Sequence, residues 1–210
     1  MSPYDVITAD PPWPYPSPGS GPLQSSPSHR PNSWTNKLSG VGSEKRYGIM
    51  TMKELCDMPV TEIAEKNSHL YLWFTNAFAV QAHSLAKAWG FTPKTIVTWG
   101  KIKSNGTPSM KTGYYFRGAS EHFLFCVRGS LKIIGTLPTL YLSPRLPHSV
   151  KPEWFYELVE GQPYQNRLEL FARRPRSGWS VFGNEVEGSI RLLTPRAPDR
   201  QKKAAGNANR

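Results

Sequence analysis

Tyr4-Asp5-Val6-Ile7-Thr8-Ala9-Asp10-Pro11-Pro12-Trp13 is the stretch that decides the fold. Its first six residues form a short run rich in β-branched side chains, which predicts a buried strand. The last four bring a carboxylate, a rigid turn and an aromatic ring to the end of that strand. The prolines at 11 and 12 fix φ near about −65° and remove two backbone donors, so we expect carbonyls there that are free to accept from a ligand.

These parts suit a site that grips the amino group of a flat base with Asp10 and stacks on its ring with Trp13. The alternative is that a strand simply ends in a proline turn. The four residues alone leave the two interpretations evenly balanced, so the rest of the chain has to decide between them.

The composition predicts one soluble globular domain. The chain has 210 residues, of which 38% are hydrophobic and 12% aromatic, and its 20 prolines and 17 glycines predict long loops. No apolar stretch is long enough to span a membrane and no leader segment is recognisable, so we expect a cytoplasmic protein. The two cysteines, Cys56 and Cys126, show neither metal-ligand spacing nor a disulfide framework.

Net charge indicates the class of partner. Twenty-six Lys and Arg against 15 Asp and Glu give a net charge of +11. An excess of this kind is expected of a protein that meets phosphate backbones, although a basic protein without a nucleic-acid partner is the alternative.

A long segment at 14–46 follows the proposed site and is rich in Pro, Ser, Gly and Asn without periodicity. A loop of this length is usually either functional or disordered. Its basic side chains could reach phosphates: His29, Arg30, Lys37, Lys45 and Arg46.

The remaining pattern predicts an α/β fold with a mostly parallel central sheet flanked by helices. Caps and apolar periodicity place helices at 51–56, from 62 onwards with Thr61 as the cap, 77–89 and 152–160. Apolar runs place further strands at 68–74, 93–99, 121–127, 133–142, 167–171 and 179–182. The domain is expected to cover residues 1–194, followed by a disordered basic tail at 195–210.

The loop at 100–120 mixes basic and aromatic residues: Lys101, Lys103, Lys111 and Arg117 with Tyr114, Tyr115 and Phe116. Such a mixture suits a nucleic-acid groove, since charges neutralise phosphates while rings stack on bases. The equal alternative is that the rings pack the loop against the body of the protein.

Several kinds of chemistry lack their usual sequence support. The chain contains no G-x-G-x-x-G, Walker, H-E-x-x-H or G-x-S-x-G motif. Its five histidines form no zinc-ligand pattern with the cysteines, which disfavours a zinc deaminase. No metal site is predicted.

A series of strings, in order, resembles the DPPW family of adenine amino-methyltransferases, to which the catalytic subunit of the eukaryotic mRNA adenosine methyltransferase belongs. The strings are Ala9-Asp10-Pro11-Pro12-Trp13, Tyr47-Gly48-Ile49-Met50, Trp99-Gly100-Lys101, Glu121-His122, His148-Ser149-Val150-Lys151-Pro152, Glu169-Leu170-Phe171-Ala172-Arg173, Gly178-Trp179 and Gly183-Asn184-Glu185. Each is weak alone, but their order along the chain makes the resemblance strong.

The resemblance implies an S-adenosylmethionine-dependent enzyme on a Rossmann-like sheet, with the catalytic motif before the cofactor-binding strands. Asp10, Pro11, Pro12 and Trp13 would be catalytic. The cofactor would be held by Asp10, Lys151, Glu169, Leu170, Phe171, Arg173, Asn184 and Glu185. The substrate would be bound by Trp13, Tyr47, Lys101, Tyr115, Arg117, Glu121 and His122. The partner would be nucleic acid, DNA being favoured over RNA, with a homodimer or a related partner subunit as a further expectation.

The chain departs from the family pattern near the ribose contacts. Pro175 and Arg176 stand where the eukaryotic enzyme has His and Asn, and Glu185 replaces Gln. Two roles also stay open. Glu121 and His122 could orient a strand end instead of contacting substrate, and Lys101 could hold a phosphate or merely end a strand in solvent.

Four functions are therefore compared: methylation of adenine in DNA, the same reaction on RNA, methylation of a protein glutamine, and a non-catalytic nucleic-acid-binding partner subunit. A glutamine methyltransferase would be expected to carry Asn in place of Asp10 and Tyr in place of Trp13. The intact motif counts against a subunit that has lost catalysis.

Overall fold

A computed structural model of the chain describes residues 3–14, 50–111, 115–147, 149–188, 190 and 192. The loop predicted at 14–46, apart from its first residue, Tyr47 and the tail predicted at 195–210 lie outside the described residues, as does His148. None of the helices in the described part is long and apolar enough to cross a membrane.

Seven strands form one mixed sheet. They are β1 (Tyr4–Ala9), β2 (Ala64–Phe74), β3 (Thr92–Ile102), β4 (Ser120–Arg128), β5 (Leu140–Pro144), β6 (Arg167–Leu170) and β7 (Trp179–Phe182). Their order across the sheet is β5-β3-β4-β2-β1-β6-β7. Only β4 runs against its neighbours, while the other pairs are parallel. The prediction of a mostly parallel α/β sheet is confirmed.

Helices cover both faces of this sheet. On one face lie α1 (Met52–Cys56), α2 (Val60–Ile63), a 3₁₀ turn (Asn76–Phe78) and α3 (Ala79–Ala88), whose buried side chains share a core with β1 and β2. On the other face α4 (Glu153–Glu160) packs Phe155, Tyr156 and Val159 into a second core rich in aromatic rings. Because β1 is buried between these two layers, its sequence shows no polar face.

The helix predictions hold with corrections at the ends. Thr51 caps α1 in a full capping box with Glu54, and Gly90 has φ 81° after α3 as expected. Thr61 is not a cap: α2 is a single turn that begins after Pro59 without a side-chain cap. Pro152 is likewise the N-cap residue of α4 and not its first helical residue.

One strand was placed wrongly. The apolar run at 133–142 predicts a strand, but β5 occupies only Leu140–Pro144, and Ile134 is 61% exposed. Pairing with β3 selects this register, because Thr98 to Ile102 lie opposite Leu140 to Pro144. Strand β3 is also longer than predicted and takes up the first residues of the loop expected at 100–120.

A buried polar cluster lies at the middle of β2. The side chain of His69 is bonded through Nδ1 to Tyr164 Oη (2.6 Å) and through Nε2 to the Leu131 carbonyl (3.0 Å). A carbonyl only accepts, so Nε2 carries the hydrogen and Nδ1 accepts from Tyr164, whose oxygen can accept from Tyr71 (3.1 Å). Burial lowers the pKa of His69, which favours this neutral imidazole over the cation.

We expect this cluster to make stability depend on pH. Because the folded-state pKa of His69 is depressed, its contribution is complete above the unfolded value of about 6.5 and is lost as the pH falls through the folded value. The free energy of unfolding should fall between pH 7 and 5 by up to about 1.4 kcal/mol per pH unit for this group.

Urea denaturation of the wild type and of His69→Gln at several pH values measures this contribution. Burial also lowers the pKa of His122, so the substitution should reduce the pH slope without removing it. An undiminished slope in His69→Gln would contradict the assignment.

Candidate active site

The carboxyl end of β1 lies at the topological switch point of the sheet, where connections lead to opposite sides of β1. Strand β1 pairs with β2 on one side and with β6, which comes much later in the chain, on the other. Ligands of open α/β sheets bind in the crevice at such a switch point. Asp10 is the first residue beyond β1 and therefore stands at the mouth of this crevice.

A cavity of about 490 Å³ opens at this edge, and it brings together nine of the residues predicted from sequence. They are Asp10, Pro11, Pro12, Trp13, Lys101, Glu121, Lys151, Phe171 and Arg173. They come from the ends of β1, β3 and β6, the start of β4 and the segment before α4. Because six strands point the same way, their carboxyl ends meet at one edge of the sheet, together with the start of the reversed strand β4.

The turn after β1 has more internal hydrogen bonds than the sequence suggests. The Trp13 amide donates to the Pro11 carbonyl (2.8 Å), and the Met50 amide donates to the Pro12 carbonyl (3.4 Å). The expectation that these carbonyls have no protein partner is wrong. Each oxygen has a second lone pair, so the Pro11 carbonyl can still accept a ligand hydrogen.

The side chain of Trp13 is buried and contacts mainly other protein residues. Its side chain is 5% exposed, its ring stacks on Phe78 at 5.3 Å between centroids, and its Nε1 donates to the Trp73 carbonyl (3.1 Å). One face of the indole is therefore covered by protein, although the residue still lines the cavity.

Four charged groups that line the cavity form ion pairs with one another. Lys151 Nζ lies 2.8 Å from Asp10 Oδ2 and 3.2 Å from Glu121 Oε2, while Lys101 Nζ is bonded to Glu121 Oε1. Both ammonium groups also lie over indole rings, Lys101 over Trp99 at 4.3 Å and Lys151 over Trp73 at 4.5 Å. The arrangement balances two positive against two negative charges in a partly desolvated place.

Burial and ion pairing shift these groups in different directions. Burial acts to raise the pKa of Glu121, but Lys151 and Lys101 outweigh it and hold the pKa at about 2. Burial acts to lower the pKa of Lys151, yet Asp10 and Glu121 raise it above its usual value. For Lys101 burial prevails and the pKa is lowered.

Lys101 and His122 are placed differently from the simplest sequence-based expectation. Lys101 is 6% exposed and paired with Glu121, which disfavours a phosphate contact. His122 follows Glu121 on β4, so its side chain lies on the opposite face of the sheet. There it stacks on Phe74 and is bonded to Thr98 and Ser120. This position favours the alternative in which His122 orients the strand end.

A second cavity of about 530 Å³ lies between α4 and the connection from β6 to β7. Glu169 lines it and accepts a hydrogen bond from Tyr156 Oη (3.0 Å), and burial raises the pKa of this carboxyl. Arg176 lies over the Tyr156 ring at 4.2 Å and is paired with Glu153 and Glu160. The two cavities are lined by neighbouring positions, Phe171 and Arg173 in the first and Glu169 and Arg174 in the second.

The other predicted residues lie apart. Leu170 is fully buried in the core, and Asn184 and Glu185 form a turn after β7 that lines neither cavity. Tyr115 and Phe116 are 97% and 95% exposed, so they do not pack the loop against the body, and neither Tyr115 nor Arg117 lines the cavities. Tyr114, like Tyr47, falls outside the described part of the chain.

Sequence reasoning did not select Thr75, Arg145 or Ser149, and it noted Lys111 only as one basic loop residue; all four line the first cavity. Thr75 directly follows β2 and Arg145 directly follows β5, so both stand at carboxyl ends of strands. Because ligand-binding residues of α/β sheets stand at the carboxyl ends of strands, the sequence could have identified Thr75, whose strand was predicted. It could not identify Arg145, because β5 was placed wrongly. Within the described residues, no group of His, Cys, Asp or Glu is arranged to hold a metal ion.

The known proteins similar to this chain include the following three. The type II methyltransferase M.MunI of Mycoplasma sp is 28% identical over 95% of this chain and 85% of its own length. The non-catalytic subunit MTB of an Arabidopsis thaliana N6-adenosine-methyltransferase is 25% identical over 61% of this chain. The N6-methyladenosine RNA methyltransferase MTA1 of Cryphonectria parasitica is 27% identical over 87% of it. The chain spans 15% of MTB and 52% of MTA1.

The MT-A70 family model matches residues 4–185, which include every strand of the sheet and both cavities. The chain belongs to the MT-A70 family.

Proposed function

We propose that this chain is an S-adenosylmethionine-dependent methyltransferase that places a methyl group on the exocyclic amino group of adenine in DNA. The observation that carries the proposal is the ion pair of Asp10 with Lys151 in a cavity at the carboxyl end of β1. Family membership and the methyltransferase names of its relatives support the same reaction.

The residues present fit S-adenosylmethionine. Its methionine part is a zwitterion, which needs a carboxylate and an ammonium side by side, and Asp10 and Lys151 supply them 2.8 Å apart. Its ribose hydroxyls need acceptors, and Glu169 offers a half-buried carboxylate with one oxygen bonded to Tyr156. Methyltransferases of this family use this cofactor generally, and when bound it supplies a methyl carbon on a positively charged sulfur.

The chain's own residues would prepare the adenine nitrogen. The lone pair of that amino group is delocalised into the ring, so it attacks carbon poorly while the group is planar. A carboxylate oxygen of Asp10 and the Pro11 carbonyl can each accept one amino hydrogen, which bends the nitrogen towards tetrahedral geometry. Asp10 and Lys151 would hold the cofactor so that its methyl group passes to this nitrogen and the electron pair of the broken carbon–sulfur bond stays on sulfur, and the methylated nitrogen would give its extra proton to water.

The cavity also limits how the substrate arrives. Asp10 lies in a concave site of about 490 Å³, whereas the amino group of adenine is paired inside a duplex, where such a site does not reach it. The target base must therefore be flipped out or be presented in a single strand. The exposed Tyr115 and Phe116 could stack on neighbouring bases, in keeping with the expected nucleic-acid role of this loop.

We favour DNA over RNA as the substrate because the chain covers more of the length of the type II methyltransferase than of the RNA methyltransferase. The chain covers 85% of the type II methyltransferase but 52% of the RNA methyltransferase. RNA remains the second candidate because that relative is named for it. Asp10 and Trp13 disfavour a glutamine methyltransferase. The placement of Asp10 in the cavity disfavours a non-catalytic subunit, although one relative carries that name.

The proposal is tested by incubating the protein with labelled S-adenosylmethionine and with duplex DNA, single-stranded DNA or RNA. Nucleoside mass spectrometry then locates the methyl group. We expect N6-methyladenine from DNA. Methylcytosine, or a labelled protein glutamine without nucleic-acid labelling, would refute the proposed reaction.

We expect two cations at the cavity to contact phosphates. Lys111 is exposed, and Arg145 is half-buried and held by the Ser109 side chain (3.2 Å) and carbonyl. Lys101 and Lys151 are instead paired with carboxylates. Each phosphate contact removed should reduce the slope of log K against log salt by about 0.9 on duplex DNA.

Fluorescence anisotropy with a labelled 20-base-pair duplex at several salt concentrations measures these slopes. Lys111→Gln and Arg145→Gln should each flatten the slope. Lys94→Gln removes the same charge near the start of β3, at the opposite edge of the sheet, and should leave the slope unchanged. Equal slopes for all three variants would refute the phosphate contacts.

A second protein subunit stays a prediction. The relative MTB is named as a subunit, and the chain exposes Ile96, Leu140 and Leu142 on β3 and β5. Sedimentation velocity of the purified protein distinguishes a homodimer from a monomer that would need a related partner.

A further inference from the structure

Asp10, Lys151, Glu121 and Lys101 form one continuous chain of ion pairs. They come from four separate parts of the molecule: the end of β1, the segment before α4, the start of β4 and the end of β3. The chain therefore links the catalytic turn to the far side of the cavity. Its central members are Glu121, which pairs with two lysines, and Lys151, which pairs with two carboxylates.

Lys151 has one donor more than these ion pairs use. An ammonium group has three N–H donors, and two of them meet Asp10 Oδ2 and Glu121 Oε2. No acceptor for the third lies among the residues that the structure describes. The side chain is 8% exposed and lies over the Trp73 ring, so its position is held on several sides. A third donor fixed in this way can meet a ligand carboxylate.

Glu121 is committed to the protein on both oxygens. Oε1 is bonded to Lys101 and Oε2 to Lys151. Lys101 is itself buried over Trp99, so the pair leaves no excess charge inside the protein. Without Lys101, two carboxylates would compete for the single ammonium of Lys151. Since both of its oxygens are already bonded, Glu121 is better placed to hold Lys151 than to bind an incoming base.

We propose that Glu121 is a positioning residue, which holds Lys151 beside Asp10 so that the third donor of Lys151 meets the methionine carboxylate of the cofactor. The inference rests on the proposed function. It replaces the direct substrate contact expected for Glu121 from sequence, and it makes Lys101 the counter-ion that keeps Glu121 in place.

The experiment compares two ligands by isothermal titration calorimetry. S-adenosylhomocysteine carries the amino-acid carboxylate, whereas methylthioadenosine has the same nucleoside and sulfur without it. For Glu121→Gln we expect the Kd of S-adenosylhomocysteine to rise by about tenfold or more, the effect of losing a charge-assisted hydrogen bond. The Kd of methylthioadenosine and the Kd of a 20-base-pair DNA duplex should change by less than about twofold.

Glu62→Gln is the matched control, since it removes an exposed carboxylate on α2. It should leave all three Kd values unchanged. Glu121→Asp keeps the charge and should recover part of the lost affinity for S-adenosylhomocysteine.

Three results would overturn the proposal. Equal losses for both nucleoside ligands would mean that Glu121 only supports the fold. Weaker DNA binding with unchanged S-adenosylhomocysteine binding would mean direct substrate contact. A wild type that binds neither nucleoside ligand would refute the proposed function as well, which separates that failure from the other two.

Glu121→Gln leaves Lys101 buried without a counter-charge and could prevent folding. The double variant Lys101→Met with Glu121→Gln removes both members of that pair and should fold. It should show the same selective loss of S-adenosylhomocysteine affinity. Retention of wild-type affinity for this ligand in the double variant would also overturn the proposal.

Discussion

Asp10→Asn should keep the fold and reduce methyl transfer under single-turnover conditions by about 10²–10³-fold. The side chain of Asp10 is 34% exposed and lies just beyond β1, so its removal leaves the core untouched. Asparagine has nearly the same shape but carries no negative charge. It therefore loses the ion pair with Lys151 and weakens the acceptor for the amino hydrogen of adenine.

The variant should also bind S-adenosylhomocysteine more weakly, because the ammonium of the ligand's amino-acid part loses the Asp10 carboxylate as its partner. Asp57→Asn is the control: that carboxylate pairs with Lys53 at the exposed C-terminal end of α1 and does not line the cavity. Methyl transfer by Asp10→Asn within threefold of the wild type would contradict the proposed mechanism, even if the product were N6-methyladenine.

Trp13→Ala should lower the free energy of unfolding by about 3–5 kcal/mol, as expected when a buried aromatic side chain is removed. The substitution removes the stacking on Phe78, leaves a cavity beside the core of β1, and leaves the Trp73 carbonyl without its donor. Domains are stable by only about 5–15 kcal/mol, so a large fraction of this variant would unfold under mild denaturing conditions.

Trp13→Phe separates the ring from the hydrogen bond. Phenylalanine retains an aromatic ring against Phe78 but cannot donate to Trp73, so the expected loss is about 1 kcal/mol. Urea denaturation followed by circular dichroism measures both variants. If Trp13→Ala were as stable as the wild type, the buried role of this side chain would be wrong, and base stacking would be left as its main role.

The position of Asp10 could be predicted because the signals around it are local. A β-branched run followed by two prolines defines a strand and its end within ten residues, and the first carboxylate after a parallel strand stands at the ligand edge of a sheet. The Thr51 cap and the glycine at 90 were predictable for the same reason, since capping involves only neighbouring residues.

The register of β5 could not be predicted in this way. Residues 133–142 are apolar enough for a strand, but hydrogen bonding to β3 decides which residues pair, and β3 lies far away in sequence. Which of Glu121 and His122 faces the cavity is likewise decided by strands far away in sequence. Strand alternation predicts that they point apart, but only the neighbouring strands show that Glu121 faces the cavity.

By itself the sequence determined an α/β fold of the MT-A70 family, the turn at the end of the first strand that we propose as catalytic, and the charge types of the residues around it. The tertiary structure decided how those charges are used. Lys101 pairs with Glu121 instead of facing a phosphate, Lys151 bridges two carboxylates, and Trp13 turns into the core. The physical reason is that ion pairing and burial depend on distances between segments far apart in the chain, and local patterns of residues carry no information about those distances.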